Sequence, residues 1–172
     1  MVNRPKPQAA VDADALPADN EDAAVAVLRQ FRQVFNAVKA HFQKVERTVG
    51  IGGAQVWALS VVRDTPGIGV GALAKAMSIH QSTASNLVRT LIDRDMVVAT
   101  KEGVDRRAVQ LNLQPAGAKV LKNAPGPFAG LLPDALKSLP PETLARLNED
   151  LALLIVAISA DEAGASIPLS DL

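Results

Sequence analysis

The chain has 172 residues, with 18 Lys/Arg balanced by 18 Asp/Glu, 48% hydrophobic residues, only 3% aromatics and no cysteine. This length suits one domain with arms around an aliphatic core. Lack of cysteine excludes a disulfide framework, a thiol redox sensor and thiolate metal sites, and fits a reducing cytoplasm, the expected location.

Residues 1–20 mix Pro, Ala, Asp and Asn without periodicity and are expected to form a flexible tail. They lack the apolar core of a signal peptide. No later run approaches the ~20 apolar residues of a membrane span, so no membrane partner is expected. Glu21 to Thr48 carries Val25, Leu28, Phe31, Val34, Phe35, Val38, Phe42 and Val45. That three-and-four spacing predicts a long amphipathic helix, with Asn20 as its start and the GIGG run at 50–53 as its end. A short apolar helix is predicted over Ala54–Arg63, then a loop over Asp64–Gly69.

Val70–Met77 is predicted as a helix, Ser78–Ile79 as a turn, and Gln81–Arg94 as a second helix. Ala84, Leu87, Val88, Leu91 and Ile92 of that second helix face inward. Met96–Thr100 and Ala108–Leu113 read as two strands. The tip between them, Lys101–Arg107, is charged. Pro115 fits the first turn of a further helix, interrupted by Pro125-Gly126-Pro127. A segment over Phe128–Leu139 follows. Pro140-Pro141-Glu142 then opens a last helix bearing Leu144, Leu147, Leu151, Leu154, Ile155 and Ile158. The fold class expected is mainly α with a small β-hairpin wing: a winged helix-turn-helix with N- and C-terminal dimerisation helices. Leu151–Ile158 is apolar nearly all round, so it needs cover on several sides. A two-fold homodimer built on the first and last helices supplies that cover. The expected division is a tail at 1–20, an N-terminal dimerisation helix at 21–53, a winged helix-turn-helix at 54–114 and C-terminal dimerisation helices at 115–172.

Charge is unevenly spread. Residues 66–122 hold eight Lys/Arg against four Asp/Glu, while residues 123–172 hold two against seven. The basic excess thus falls on the helix-turn-helix segment, where phosphate contacts are needed. Gln81, Ser82, Thr83, Ser85, Asn86 and Arg89 lie on the polar face or the N-terminal half of the second helix. Short hydroxyls let a helix sit deep in a DNA major groove, Asn and Gln pair with adenine, and Arg pairs with guanine. At the tip, Lys101, Asp105, Arg106 and Arg107 suit a wing over the neighbouring minor groove. The expected partner is therefore double-stranded DNA with a pseudo-palindromic operator. The alternative is a winged-helix module for protein contact with no operator of its own.

Three stretches carry a resemblance: VGALAKAM, SIHQSTASNLVRTLIDRDMV and DRRAVQLNLQPAG. Over Ala54 to Leu121 the chain resembles the MarR family of winged-helix transcription regulators. The last stretch is similar to the family's wing signature, Asp-x-Arg followed by a strand and then Leu-x-x-x-Gly. The resemblance implies a homodimeric regulator, a repressor by expectation, with Arg107 in the minor groove and Asp105 holding it. It also implies a small aromatic or anionic effector in a cleft beside the short helix, for which His41, Phe42, Trp57 and Arg63 are the candidates. The sequence departs from the family at Asp95, where a Gly commonly ends the recognition helix. It departs again at His80, where Ser or Thr often caps it, at Gln114, and at the Pro-Gly-Pro break.

No Ser/His/Asp constellation, phosphate loop or dinucleotide fingerprint is present. The G-x-G-x-G run at Gly67, Gly69 and Gly71 follows no parallel strand and reads as a turn. His41 and His80 fall in different elements. No enzyme activity, cofactor or metal is expected.

Overall fold

The computed structural model describes residues 18–100, 109–160 and 165–171. They fall into two units, one through Phe35 and one from Asn36. Helix α1 covers Ala18–Val49, α2 Gly53–Asp64, α3 Val70–Met77, α4 Gln81–Asp93, α5 Pro115–Asn123, α6 Leu131–Lys137 and α7 Pro141–Ala157. Strands β1 (Val97–Thr100) and β2 (Gln110–Leu113) pair antiparallel, with Val97 opposite Leu113 and Thr100 opposite Gln110. The fold is thus mainly helical with one small hairpin.

In the first unit α1 begins at Ala18, ahead of the predicted Glu21. Glu21 and Asp22 still lie near the positive end of the helix dipole, where carboxylates are favoured. Phe31 and Phe35 stack with centroids 6.2 Å apart. Val25, Leu28, Val34 and Phe35 stay exposed.

In the second unit the core gathers on α2. Ala54, Val56, Ala58, Leu59 and Val62 are all buried, with Leu59 fully so. Helix α2 packs against α3, α4, α5, β2 and a C-terminal 3-10 turn over Leu169–Asp171. A helix covered on so many sides must be apolar all round, and its one buried hydroxyl needs a partner. That hydroxyl belongs to Ser60, which donates to the Trp57 carbonyl at 2.7 Å. The N-terminus of α2 is closed by Gln55, whose side-chain oxygen accepts the Gly52 N–H at 3.1 Å.

Backbone turns set the helix-turn-helix. Gly50 ends α1 with φ +74°, a conformation glycine adopts without strain. Ser78 (φ +54°) ends α3, and the Ile79 N–H reaches back to the Ala74 carbonyl at 3.0 Å. Asp95 (φ +55°) does the same for α4, with Met96 N–H on the Leu91 carbonyl at 2.9 Å. Aspartate tolerates the left-handed region better than most residues, which is how it replaces glycine there.

Three expectations need adjustment. The 64–69 loop is more ordered than expected: Ile68 bridges Leu111, with Leu111 N–H on the Ile68 carbonyl at 3.0 Å and Gly67 N–H on the Leu111 carbonyl at 2.9 Å. The hairpin thereby gains a third partner. The segment predicted over Phe128–Leu139 is helical only as α6, because Pro127 and Gly130 (φ +96°) delay its start. Helix α7 begins at Pro141 and ends at Ala157, with Ile158 just beyond it.

Gly117 sits where the fold leaves no room beside backbone. A Cβ there would meet the Met96 carbonyl, Leu113 Cδ1 at 2.8 Å and Leu59 Cδ2 at 3.1 Å. Helix α5 can approach α2 and the hairpin only because that position has no side chain. Gly117→Ala is expected to cost ~1–3 kcal/mol of unfolding free energy, the range for overpacking a core. Urea unfolding of the variant measures this, and an unchanged midpoint would contradict the packing described.

Candidate nucleic-acid interface

Helix α4 divides cleanly. Ala84, Leu87, Val88 and Leu91 are buried against the core. Gln81, Ser82, Asn86 and Arg89 are exposed, and Thr83 and Ser85 are half-buried at the flank. Ser82, Asn86 and Arg89 are spaced by four and three, so they form one row along the helix. The Ser85 hydroxyl donates to the Gln81 carbonyl at 2.8 Å, which leaves its lone pairs outward as acceptors. His80 precedes the helix as its N-cap residue without a side-chain capping bond. The first-turn N–H groups therefore remain open to an anion. No acidic residue lies in that first turn.

The wing candidates Lys101, Asp105, Arg106 and Arg107 lie outside the described residues. What is described are the two strands that bring the chain out to that segment and back, anchored by Val97 and Leu111 in the core. The row on α4 and the segment joining β1 to β2 thus belong to consecutive elements of one unit.

Arg94, just past the end of α4, was not among the sequence candidates. Its guanidinium donates to the Gly50 carbonyl at 3.1 Å. The bond ties the far end of α4 to the turn between α1 and α2. Its partners are far apart in sequence, so no local spacing could have announced it.

The four effector candidates separate. Phe42 and Trp57 line an apolar cleft of about 180 Å³, together with Met77 at the end of α3, Ile79 of the turn that follows it and the start of α6. His41 and Arg63 are not among its lining residues. His41 is buried, and its Nε2 donates to the Pro127 carbonyl at 3.1 Å. It thereby fastens the chain that follows the Pro-Gly-Pro break to α1. Arg63 lies 5.5 Å from the centroid of the Phe128 ring and forms two hydrogen bonds with Asp64, at 2.7 and 3.1 Å. Those bonds hold the Asp64 carboxyl below the usual carboxylate range. Among the described residues no charged side chain lines the cleft. An anion would find no fixed counter-charge there, whereas a neutral apolar molecule would meet Phe42, Trp57 and Ile79.

Among the described residues no group of three or more His, Cys, Asp or Glu could hold a metal ion. No described helix is long and apolar enough to cross a membrane.

His41→Phe keeps an apolar ring on α1 but deletes the donor to the Pro127 carbonyl. A loss of about 1 kcal/mol in unfolding free energy is expected, the usual net value of such a bond. Equal stability of the variant and parent in urea would contradict that role for His41.

Comparisons with known proteins bear on this arrangement. Residues 49–108 match the family model described as the MarR family. These residues contain α2, α3, α4 and β1. A curated relative from Thauera aromatica, provisionally assigned as a transcriptional regulatory protein for the hcr operon, is 29% identical over 86 residues. That match covers 48% of this chain and 52% of the relative, so the chain spans about half of that protein. Among solved structures, the S. aureus MepR–DNA complex is 20% identical, covering 75% of this chain and 94% of that one, with a TM-score of 0.53. The transcriptional regulator BldR from Sulfolobus solfataricus is 19% identical, covering 80% and 99%, with a TM-score of 0.51. At these identities the two structures establish likeness of fold.

Proposed function

We propose that this chain, which belongs to the MarR family through residues 49–108, is a sequence-specific DNA-binding transcription regulator. The observation that carries this reading is the exposed row Ser82, Asn86 and Arg89 on α4, backed by a fully apolar inner face and followed by the hairpin. Such a helix enters a major groove with its N-terminal half, reading base edges through Gln81, Ser82, Asn86 and Arg89. Thr83 and Ser85 flank the row. Arg107 enters the adjacent minor groove from the wing, steadied by Asp105, while Lys101 and Arg106 meet phosphates. The solved MepR–DNA complex, similar in fold, supports DNA as the partner.

The working unit is a homodimer. Leu153 and Val156 on α7 are 72% and 77% exposed in the single chain, beside exposed Leu154, Ile155 and Ile158. A contiguous apolar face of this kind marks an interaction surface. In α1, Val25, Leu28, Val34 and Phe35 offer another. The terminal segments thus act as dimerisation helices around the DNA-binding residues 54–114. Two-fold symmetry then requires a pseudo-palindromic operator, with half-sites about one helical turn, roughly 34–36 Å, apart. Repression follows from blocking polymerase access. The effector is a small neutral apolar molecule held at Phe42 and Trp57, acting by preferring one dimer geometry over the other.

Binding of the purified chain to DNA upstream of its own gene, at several salt concentrations, tests the reading. Selective binding that weakens steeply with salt is expected. Arg89→Ala and Arg107→Ala should each lower affinity by roughly 5- to 150-fold, the equivalent of ~1–3 kcal/mol for a base contact. Weak binding equal for all sequences, and indifferent to both variants, would favour a protein-contact module instead. Leu153→Glu combined with Val156→Glu should convert a dimer to a monomer in sedimentation analysis. A dimer that survives both charges would place the interface elsewhere.

A further inference from the structure

The apolar cleft beside Trp57 is closed on one side by the chain's own C-terminal residues. Phe42, Trp57 and Leu131 of the helices, and Ile79 of the turn before α4, supply walls. Ile167, Pro168 and Leu169 supply another, brought there by a segment remote in sequence from all of them. Its 3-10 turn packs on α2.

The chemistry of this segment suits a cover that comes and goes. Pro168 is buried, while Ile167 and Leu169 keep 48% and 37% of their surface exposed. Proline has no N–H, so burying it orphans no backbone donor. Its fixed φ also lowers the entropy lost when the segment is ordered. Ile167 and Leu169 are half-covered, so the segment shields the cleft without being locked into the core. Without it, the rings of Phe42 and Trp57 would gain apolar surface open to water, which folded proteins tend to cover. With residues 165–171 seated, about 180 Å³ remains, of the order that holds a single benzene-sized ring (~150 Å³), so a larger apolar molecule must displace them.

We propose that residues 165–171 form a displaceable strap, and that a small neutral apolar molecule competes with this strap for the cleft. The strap is a ligand in cis. It and the competing molecule share one cleft, of which Trp57 and Ile79 form other walls. Ile79 lies immediately before His80, the N-cap residue of α4. Exchange of strap for ligand therefore acts on the turn that leads into the recognition helix. That last link rests on the proposed DNA-binding function; the competition itself does not.

Trp57 is the chain's single tryptophan and reports on the cleft directly. The test compares the full chain with one ending at Gly164, using Trp57 emission and binding of N-phenyl-1-naphthylamine, a neutral dye that brightens in apolar surroundings. Circular dichroism checks that helix content is kept. The truncated chain should show red-shifted emission and at least threefold tighter dye binding, and the peptide of residues 165–172 added in trans should compete the dye off. The full-length double variant Ile167→Asp, Leu169→Asp should shift both readouts the same way, and it decides the matter if truncation perturbs the fold. Unchanged emission with equal or weaker dye binding in these variants would overturn the strap. None of these readouts involves DNA, so failure of operator binding would leave the result standing.

Discussion

Burial of α2 is the constraint on which the rest of the second unit depends. Three helices, a strand and a 3-10 turn cannot all pack on one twelve-residue helix unless its surface is apolar nearly all round and its neighbours come close. The sequence meets the first condition with Ala54, Val56, Ala58, Leu59 and Val62, and with Ser60, whose hydroxyl is satisfied within the helix. It meets the second with glycine at 117, where α5 runs against the Met96 carbonyl and Leu59. Once α2 is surrounded, α4 has only one way to lie. Its apolar residues face the core and its polar row faces out.

The candidate interface follows from that placement. The row on α4 owes its exposure to the burial of Ala84, Leu87, Val88 and Leu91 on the opposite side. Both ends of α4 are then held by backbone. The Ser78 turn fixes its entry, Asp95 fixes its exit, and Arg94 pins that exit to the Gly50 carbonyl. A recognition helix needs such rigidity, since base-edge hydrogen bonds tolerate little error in position. The entry turn also forms part of the cleft lined by Phe42 and Trp57. One short turn therefore belongs both to the cleft and to the entry of α4.

Much of this was legible in the sequence because it is local. Helical periodicity located α1, α4 and α7, and alternation with a charged tip located the hairpin. The left-handed conformation at Asp95 followed from what aspartate tolerates. The parts that were not legible depend on long-range contacts. The Ile68–Leu111 bridge, the Arg94–Gly50 bond and the seat of residues 165–171 each join segments with no shared pattern. The effector candidates divide along the same line. Phe42 and Trp57 line the cleft, while His41 turns to the Pro127 carbonyl and Arg63 to Asp64. On one helix, adjacent residues point about 100° apart, so proximity in sequence to a pocket residue says little about facing the pocket.

The central claim is that two copies of α4, related by a two-fold axis, read DNA side by side. Hydroxyl-radical footprinting of an operator bound by the chain tests it most directly. The account predicts two protected patches on one face of the duplex, about one helical turn apart, with flanking minor-groove protection that disappears in Arg107→Ala. A single patch, or uniform protection that follows no sequence, would contradict it.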